Sequence, residues 1–242
     1  MGRVSYFISD VHLHLEDREK ELYKEKLFEK FINLVCEDGT DLFILGDLFD
    51  YWFEYKKVIQ KDSYRVLSLF YKLKEKNIKI HYLIGNHDFY HNNIFQDEFG
   101  ATLYEDPIEV EIDGYKFFLA HGDGMIKNDT GYKILKFFLR NKYIQKLAYI
   151  IHPDFLLNLA IHSSRASRKY TTKKNYGEID GLKEIAKQKI ENENFKYVIM
   201  GHAHNLEKIS IGEGTYINLG SWITKPVYCK FYQGNLELLE ME

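Results

Sequence analysis

Residues 41–50 read DLFILGDLFD, a short apolar run that stops at a glycine and continues into two aspartates. The run Asp41–Leu45 is nearly continuous in hydrophobicity, which is typical of a strand buried on both faces of a sheet. Other runs of similar length also stop at a polar block, namely Val4–Ser9, Lys79–Ile84, Tyr115–Ala120 and Lys196–Met200. The repetition predicts a sheet whose strands end in functional side chains.

Helix-like segments separate the first three of these strands. Lys20–Cys36 and Asp62–Lys76 carry apolar residues at close to a 3.6-residue period. The alternation of strand and helix predicts βαβ units and an α/β fold. The C-terminal part instead contains strand-like runs joined by glycine-containing turns, which predicts hairpins over Leu206–Ser210, Thr215–Leu219, Tyr228–Tyr232 and Leu236–Leu239.

Composition and length narrow the class of protein. The 242 residues are 45% hydrophobic and 29% charged, which is an ordinary globular composition and allows one or two domains. The net charge of −3 does not favour bulk nucleic-acid binding, so no nucleic-acid partner is expected. With two cysteines, no recognisable signal peptide and no apolar run of about 18 residues, we expect a cytoplasmic chain without a transmembrane helix.

The segment 127–180 interrupts the alternation of strands and helices. It contains eleven Lys or Arg residues and four Asp or Glu residues, so it is basic whereas the rest of the chain is acidic. Its apolar stretches, Tyr132–Ile151 and Asp154–Ile161, exceed what one buried helix face needs, which favours contact with a lipid or membrane surface. We therefore expect a basic amphipathic helical insertion on a core of residues 1–126 and 181–242. Plain packing of the insertion against that core is the alternative.

Residue types that bind metals gather where the predicted strands end. Because open α/β sheets place ligands at one edge, we expect these polar blocks to meet there. In extended backbone, side chains at i and i+2 share a face, so we expect Asp10 with His12, and His202 with His204, each to converge on one point. The blocks are Asp10-Val11-His12, Gly46-Asp47-Leu48-Phe49-Asp50, Gly85-Asn86-His87-Asp88, His121-Gly122-Asp123 and Gly201-His202-Ala203-His204.

The ligand types indicate the class of metal. Asp, His and Asn without a thiolate favour Mn²⁺, Fe²⁺, Zn²⁺ or Co²⁺. Seven donors are too many for one tetrahedral ion and suit a pair about 3.5–4 Å apart, which could share a hydroxide and clamp a phosphoryl group. A carboxylate such as Asp47 is the natural bridge between two ions.

Neighbouring residues have roles that follow from their chemistry. Asn86 could also bind a phosphate oxygen. His87 could stabilise developing charge or protonate the leaving oxygen. Asp50 and Asp88 could each orient a histidine.

The ordered set D-x-H, G-D-x-x-D, G-N-H-D, H-G-D and G-H-x-H resembles the signature of the calcineurin-like metallophosphoesterases. It extends from Asp10 to His204, about 80% of the chain. The resemblance implies an αββα sandwich and two divalent metal ions. By motif position, the first ion would be held by Asp10, His12, Asp47 and His204, and the second by Asp47, Asn86, His121 and His202.

Within that family the chain is most similar to the UDP-2,3-diacylglucosamine pyrophosphohydrolases of lipid A biosynthesis. The similarity lies in the block 46–52, in His121-Gly122-Asp123 followed by Asp129-Thr130-Gly131-Tyr132, and in the insertion, which ends in the stretch His162–Lys169. It implies Mn²⁺-dependent attack at the α-phosphate, giving UMP and 2,3-diacylglucosamine 1-phosphate (lipid X). It also implies a lid over an acyl-chain cleft, a peripheral position on the cytoplasmic face of the inner membrane, and no obligate protein partner.

The expected site residues complete this interpretation. Asp47 and His87 are expected to be catalytic, and substrate contacts are expected from Asn86, His87, Asp129, Ser164, Arg168 and His202. His87 is a departure, because better-known pyrophosphohydrolases have arginine there and general metallophosphoesterases have histidine. The alternative is therefore another metallophosphoesterase, acting on phosphomonoesters, nucleotides or nucleic acids, and a non-catalytic scaffold is a further one. Ordinary surface or core roles are expected for the remaining histidines considered, His14, His81, His91 and His152.

Overall fold

Two β-sheets lie face to face in the computed structural model, which describes residues 2–15, 17–125, 141–159, 161–162 and 176–242. The strands in these residues are β1 Val4–Ile8, β2 Asp41–Leu45, β3 Lys79–Leu83, β4 Thr102–Tyr104, β5 Ile108–Ile112, β6 Tyr115–Ala120, β7 Tyr197–Met200, β8 Leu206–Ile211, β9 Gly214–Leu219, β10 Val227–Tyr232 and β11 Asn235–Glu240. The helices are α1 Arg18–Asp38, α2 Tyr64–Glu75, α3 Ile94–Asp97, α4 Lys142–Ala148 and α5 Tyr176–Glu193. A 3₁₀ turn, Lys61–Ser63, precedes α2, and residues 153–159 are also helical.

Each sheet has a parallel centre. The first sheet has the order β11-β10-β1-β2-β3-β4, and β1 to β4 are parallel with Ile8 opposite Ile44 and Leu45 opposite Leu83. The second has the order β5-β6-β7-β9-β8, in which β6, β7 and β9 are parallel. The carboxyl ends of the parallel strands therefore face one edge of the sandwich, where ligands bind in open α/β sheets.

Aromatic side chains fill the space between the sheets. Phe7 stacks on Phe43 and Phe117, with ring centroids 5.0 and 5.6 Å apart. All three rings are fully buried, and Phe231 packs edge-on against Phe117. This layer holds the two sheets in a fixed relation, so strand ends from both sheets can contribute to a single site.

Helices cover the outer faces of both sheets. On the first sheet, α1 and α2 bury Phe28, Phe31 and Phe70, which recur at helical spacing in the sequence. Helix α1 begins where the Asp17 carboxylate accepts the Lys20 backbone N–H at 3.2 Å, which is an ordinary N-cap. On the second sheet, α5 packs Leu182 and its neighbours against the strands. The α/β class and the αββα arrangement expected from the sequence are confirmed.

The two predicted C-terminal hairpins are present but lie in different sheets. β8 and β9 pair antiparallel in the second sheet, whereas β10 and β11 pair antiparallel in the first and join β1 there. The sequence shows the hairpins but not their separation, because β9 and β10 both contribute apolar residues to the layer between the sheets. The short strands β4 and β5 were not expected, since their buried residues are few.

The predicted insertion 127–180 is only partly within the described residues. Residues 127–140 and 163–175 lie outside them, and α4 and the helical residues 153–159 lie inside. Helix α5 starts at Tyr176, within the last residues of that segment. Among the described helices, none is both long enough and apolar enough to cross a membrane.

Candidate metal centre

The polar blocks of both sheets meet at the edge formed by the strand ends. Asp10 and His12 follow β1, Asp47 follows β2, and Asn86 and His87 follow β3. From the second sheet, His121 follows β6, and His202 and His204 follow β7. The structure thus brings together every described residue that the sequence predicts for the metal site.

The backbone is left-handed at five of these residues. The φ angles are +52° at Asp10, +50° at His12, +52° at Asp47, +66° at His202 and +52° at His204. Each such conformation at a non-glycine residue costs about 1–3 kcal/mol and persists only where its surroundings impose it. The expectation of extended backbone is therefore wrong for the blocks after β1, β2 and β7, where the chain turns sharply as it leaves the strand.

Hydrogen bonds between the blocks hold these turns. The Asp10 and His12 amides donate to the carbonyls of Gly46 and Asp47 at 3.1 and 3.0 Å. The first two blocks therefore run side by side beyond the sheet. These hydrogen bonds between neighbouring loops offset the free energy that the left-handed residues cost.

In both Asp10 and Asp47, one carboxylate oxygen accepts hydrogen bonds from neighbouring residues and the other faces the cluster. Asp10 Oδ2 accepts the His202 amide at 2.9 Å and the Ser9 hydroxyl at 2.5 Å. Asp10 Oδ1 instead faces the Nε2 atoms of His204 and His12, at 3.1 and 3.7 Å. Similarly, Asp47 Oδ1 accepts the His87 amide at 2.8 Å. One fixed oxygen orients each carboxylate so that the other points into the cluster.

Asp47 Oδ2 lies between two groups of donors. It is 3.4 Å from His121 Nε2 and 3.9 Å from His12 Nε2. His12 Nε2 is in turn 3.0 Å from His204 Nε2. His121 Nε2 is 3.0 Å from Asn86 Oδ1. Asp47 Oδ2 therefore lies between the pair His12 and His204 and the pair His121 and Asn86.

His202 and His204 face different halves of the cluster. The His202 ring centroid is 5.1 Å from that of His121, whereas the His204 centroid is 4.9 Å from that of His12. The expectation that these two histidines converge on one point is wrong. The left-handed turns at both residues separate their side chains.

The donor atoms fit bound cations. His121 Nδ1 donates to the Leu45 carbonyl at 2.8 Å, so in the neutral ring Nε2 carries a lone pair. That lone pair faces the oxygens of Asn86 and Asp47, which are also acceptors. Asp10 Oδ1 is buried and accepts no hydrogen bond from the described residues. Buried acceptors that converge in this way favour a cation between them, and nitrogen and oxygen donors suit divalent transition metals.

The protonation states of His12, His202 and Asp10 suit metal ligation, whereas His121 would release a proton on binding a metal ion. Burial lowers the pKa of His12 to about 3 and that of His202 to about 4, which keeps both rings neutral. Burial opposes ionisation of Asp10, but its close contacts with His12 and His204 bring the pKa of this carboxyl well below its usual range. For His121, burial lowers the pKa, but the charge of Asp47 and contact with it outweigh burial and raise the pKa to about 10. Ligation needs neutral imidazoles and ionised carboxylates.

Asp50 lies behind the histidines. Its Oδ1 is 3.3 Å from His12 Nδ1 and 3.5 Å from His87 Nδ1, and its carbonyl accepts His87 Nδ1 at 2.9 Å. A carboxylate on Nδ1 fixes the ring so that Nε2 faces the metal. The structure places Asp50 where the sequence predicted an orienting carboxylate.

Asp88 has a different role from the one expected. It accepts the amides of Leu48 and Gly85 at 2.8 and 2.9 Å and the Tyr82 hydroxyl at 2.5 Å. Burial and the nearby charge of Asp47 raise the pKa of Asp88 to about 6. Asp88 therefore joins the loops that follow β2 and β3 instead of orienting a histidine.

Glu54 is a supporting residue that sequence reasoning missed. Its carboxylate accepts the amides of Asn92, Asn93 and Ile94 at 2.8–2.9 Å. It is buried, and its partners are 38–40 residues away, so no local spacing signals the contact. The effect is to tie the segment after the Asp50 block to the segment after His87.

Other predicted residues fall outside this cluster. Asp129, Ser164 and Arg168 lie outside the described residues. His81 contacts the Tyr104 hydroxyl and Asp41, and His152 is exposed, so both behave as ordinary histidines.

Comparison with known proteins agrees with this geometry. The family described as Calcineurin-like phosphoesterase matches residues 5–206. The chain is similar to the UDP-2,3-diacylglucosamine hydrolase of Porphyromonas gingivalis, with 29% identity over 98% of this chain and 97% of that protein. A protein of that name from Haemophilus influenzae is 30% identical over 90% of both chains. A solved structure of a novel archaeal phosphodiesterase has a TM-score of 0.52 at 15% identity, covering 98% of this chain and 99% of that one, and shows likeness of fold alone.

Proposed function

This chain belongs to the calcineurin-like phosphoesterase family, and from that premise we propose that it hydrolyses the pyrophosphate of UDP-2,3-diacylglucosamine to UMP and 2,3-diacylglucosamine 1-phosphate. Membership makes it a metal-dependent hydrolase. The observation that carries the proposal is the convergence of buried acceptor atoms around Asp47 Oδ2. Near full-length similarity to proteins named UDP-2,3-diacylglucosamine hydrolase supports the substrate.

Two divalent ions would occupy the cluster. The proposed ligands of the first are Asp10, His12, Asp47 and His204, and those of the second are Asp47, Asn86, His121 and His202. The grouping is supported by the separation of His202 and His204 and by the central position of Asp47. We propose Mn²⁺ as the resident metal, since the donor set admits it.

The chain's own residues would orient the substrate, and one of them could donate a proton to the leaving oxygen. When bound, the ions supply a nucleophile at neutral pH and neutralise charge on the phosphoryl group. Because His87 Nδ1 is engaged with the Asp50 carbonyl, Nε2 is left to meet a substrate oxygen. We assign it to stabilising developing charge or protonating the leaving oxygen. The Asn86 amide is placed to bind a phosphate oxygen as well.

The insertion is proposed to be a lid over the acyl chains. An aromatic cluster joins it to the site: Phe53 and Tyr90 pack together, and Tyr149 lies 5.6 Å from Phe53 between ring centroids. The Tyr55 hydroxyl donates to the Ile151 carbonyl at 2.9 Å. Phe53 and Tyr90 belong to the loops that carry Asp50 and His87, so the lid's position and the site are linked. Predicted lid contacts from Asp129, Ser164 and Arg168 stay proposals.

Exposed apolar side chains support attachment to the cytoplasmic face of the inner membrane. Within residues 141–159, large side chains are more than half exposed at Tyr143, Leu147, Ile150, Phe155 and Leu159. The adjacent loop 56–59 reads Lys-Lys-Val-Ile, and all four residues are exposed. Apolar groups beside lysines are typical of a surface that binds anionic lipid.

Substitutions in loop 56–59 test this attachment. Val58 and Ile59 are 53% and 40% exposed, so burying both in lipid contributes about 1–2 kcal/mol, or roughly 10-fold in binding. We expect the variant Val58→Ser with Ile59→Ser to sediment about 10-fold more weakly with phosphatidylglycerol-containing vesicles. The matched control, Tyr23→Ser with Tyr71→Ser, removes exposed rings on α1 and α2 and is expected to bind normally. Equal binding by both variants would refute the attachment.

Another metallophosphoesterase activity is the second candidate. His87 favours it, because general members of the family have histidine at this position. A non-catalytic scaffold is disfavoured, since every described ligand position is filled by a residue able to bind metal.

The test compares substrates on one preparation. Metal-stripped enzyme reloaded with Mn²⁺ is given UDP-2,3-diacylglucosamine or an aryl phosphate ester, and product formation is followed for each. We expect UMP to form with a far higher kcat/KM than the aryl alcohol. Preference for the aryl ester would support the second candidate.

A further inference from the structure

A buried ion pair on α1 contacts the backbone of the His12 block. Lys24 Nζ donates to the His12 carbonyl at 2.7 Å, and Glu21 Oε1 accepts the His14 amide at 2.7 Å. The two side chains are 3.6 Å apart between Lys24 Nζ and Glu21 Oε2, and each side chain is only 7% exposed. None of the roles assigned above uses this pair.

The contacted backbone is in an unusual conformation. φ is +50° at His12 and +72° at His14, so these residues do not continue the sheet. Loop 46–50 provides partners for the amides of His12 and Leu13, at 3.0 and 2.9 Å. Helix α1 provides partners for the His12 carbonyl and the His14 amide. Buried backbone groups need such partners, and each lost partner costs about 1–3 kcal/mol.

Burying an ion pair costs more free energy than burying neutral hydrogen-bond partners for the same backbone groups. Removing Lys and Glu from water costs free energy that their attraction often fails to offset, so such a pair is weak support for a purely stabilising role. Here both charges are directed at backbone on either side of one residue, Leu13. Their geometry constrains His12, whose ring faces Asp10 and Asp47 on the other side.

We propose that Lys24, paired with Glu21, is a positioning residue for the metal centre. By holding the His12 carbonyl, Lys24 fixes the left-handed turn that directs His12 Nε2 into the cluster. Asp50 acts on the same ring from Nδ1. The inference rests on the proposed metal centre and adds a residue that lies outside every motif of the family signature.

Calorimetric titration of Mn²⁺ into metal-stripped full-length protein tests the role. Residues that support metal ligands typically contribute about 10- to 100-fold in affinity, so Lys24→Met should weaken Mn²⁺ binding by that amount. Lys24→Arg keeps the charge and the donors and should restore most of the affinity. Lys20→Met, at an exposed position on the same helix, should bind as the parent does. Urea unfolding of each variant measures stability separately.

The results distinguish a failure of the positioning role from a failure of the proposed metal centre. Lower stability of Lys24→Met with unchanged Mn²⁺ affinity would assign the pair a structural role and overturn the inference. If Lys24→Met does not fold, Glu21→Gln is used, because it keeps an acceptor for the His14 amide while removing the partner charge of Lys24. Unchanged affinity in Glu21→Gln would then overturn the inference. Absence of Mn²⁺ binding by the parent protein would refute the metal centre itself and this inference with it.

Discussion

Replacing Asp47 by alanine should reduce kcat by at least about 10³-fold on any phosphoester substrate. Asp47 Oδ2 lies between His121 and His12, so its loss removes the carboxylate that, within the described part of the chain, is placed to serve both proposed ions. Charge stabilisation by such ions is worth several kcal/mol in the transition state, and each 1.36 kcal/mol is about tenfold in rate. Steady-state kinetics with Mn²⁺-reloaded protein gives the comparison.

Two further variants show whether the charge or the fold is responsible. Asp47→Asn keeps an oxygen that can accept the His87 amide but loses the charge, and it should be nearly as inactive as Asp47→Ala. Asp62→Asn makes the same change at an exposed position and should leave kcat unchanged. Substantial activity in a correctly folded Asp47→Asn, shown by circular dichroism, would refute the bridging role.

Gly85→Ala should abolish tight metal binding although it adds only one methyl group. A Cβ at Gly85 would overlap the Asp47 carboxylate and lie 2.5 Å from the Asp47 backbone nitrogen. Neither group can move freely, because Asp47 Oδ1 holds the His87 amide and the Gly85 amide itself donates to Asp88. We expect a loss of about 1–3 kcal/mol in the free energy of unfolding and at least about 100-fold weaker Mn²⁺ binding.

Gly2→Ala provides the matched control for that substitution. There the nearest atom to an added Cβ is Asp113 Oδ2 at 3.5 Å, which is an ordinary contact. Urea unfolding and Mn²⁺ titration of Gly2→Ala should match the parent protein. If Gly85→Ala also bound Mn²⁺ with the parent's affinity, the close approach of the two loops described here would be wrong.

The location of the site is predictable from the sequence because of how parallel strands end. Five apolar runs each stop at a polar block, and parallel strands bring such ends to one edge. The burial pattern of β1 and β2, which are buried at every residue, explains why their runs are so readily recognised. The fold class therefore follows from local patterns alone.

The orientation of the site residues depends on contacts that local patterns do not contain. Asp88 has the chemistry of a histidine partner, yet three backbone amides and the Tyr82 hydroxyl engage it. Lys24 resembles any lysine of an amphipathic helix, and its burial depends on a loop twelve residues earlier. Left-handed turns at Asp10 and His202 likewise arise from packing between loops. Such contacts are tertiary, so spacing in the sequence does not reveal them.

The contacts between the insertion and the loops that carry Asp50 and His87 bear on how the proposed enzyme would select its substrate. Phe53 and Tyr90 lie directly beyond the ligand-bearing loops and contact Tyr149 or its neighbours in the insertion. A lid held there would place acyl chains at a fixed distance from the phosphoryl group that is attacked. Discrimination between a lipid-linked nucleotide and a simple phosphate ester would then come from the insertion, while the metal centre supplies the common chemistry.

The proposed hydrolysis is best tested in ¹⁸O-labelled water. The Mn²⁺-loaded enzyme is given UDP-2,3-diacylglucosamine, and turnover is followed by phosphorus NMR. We predict an isotope shift on the phosphorus of UMP and none on 2,3-diacylglucosamine 1-phosphate, since in the proposed reaction water attacks the α-phosphate. Metal-stripped enzyme should show no turnover. Label in the sugar phosphate, full activity without metal, or no cleavage alongside rapid hydrolysis of an aryl phosphate ester would contradict the account.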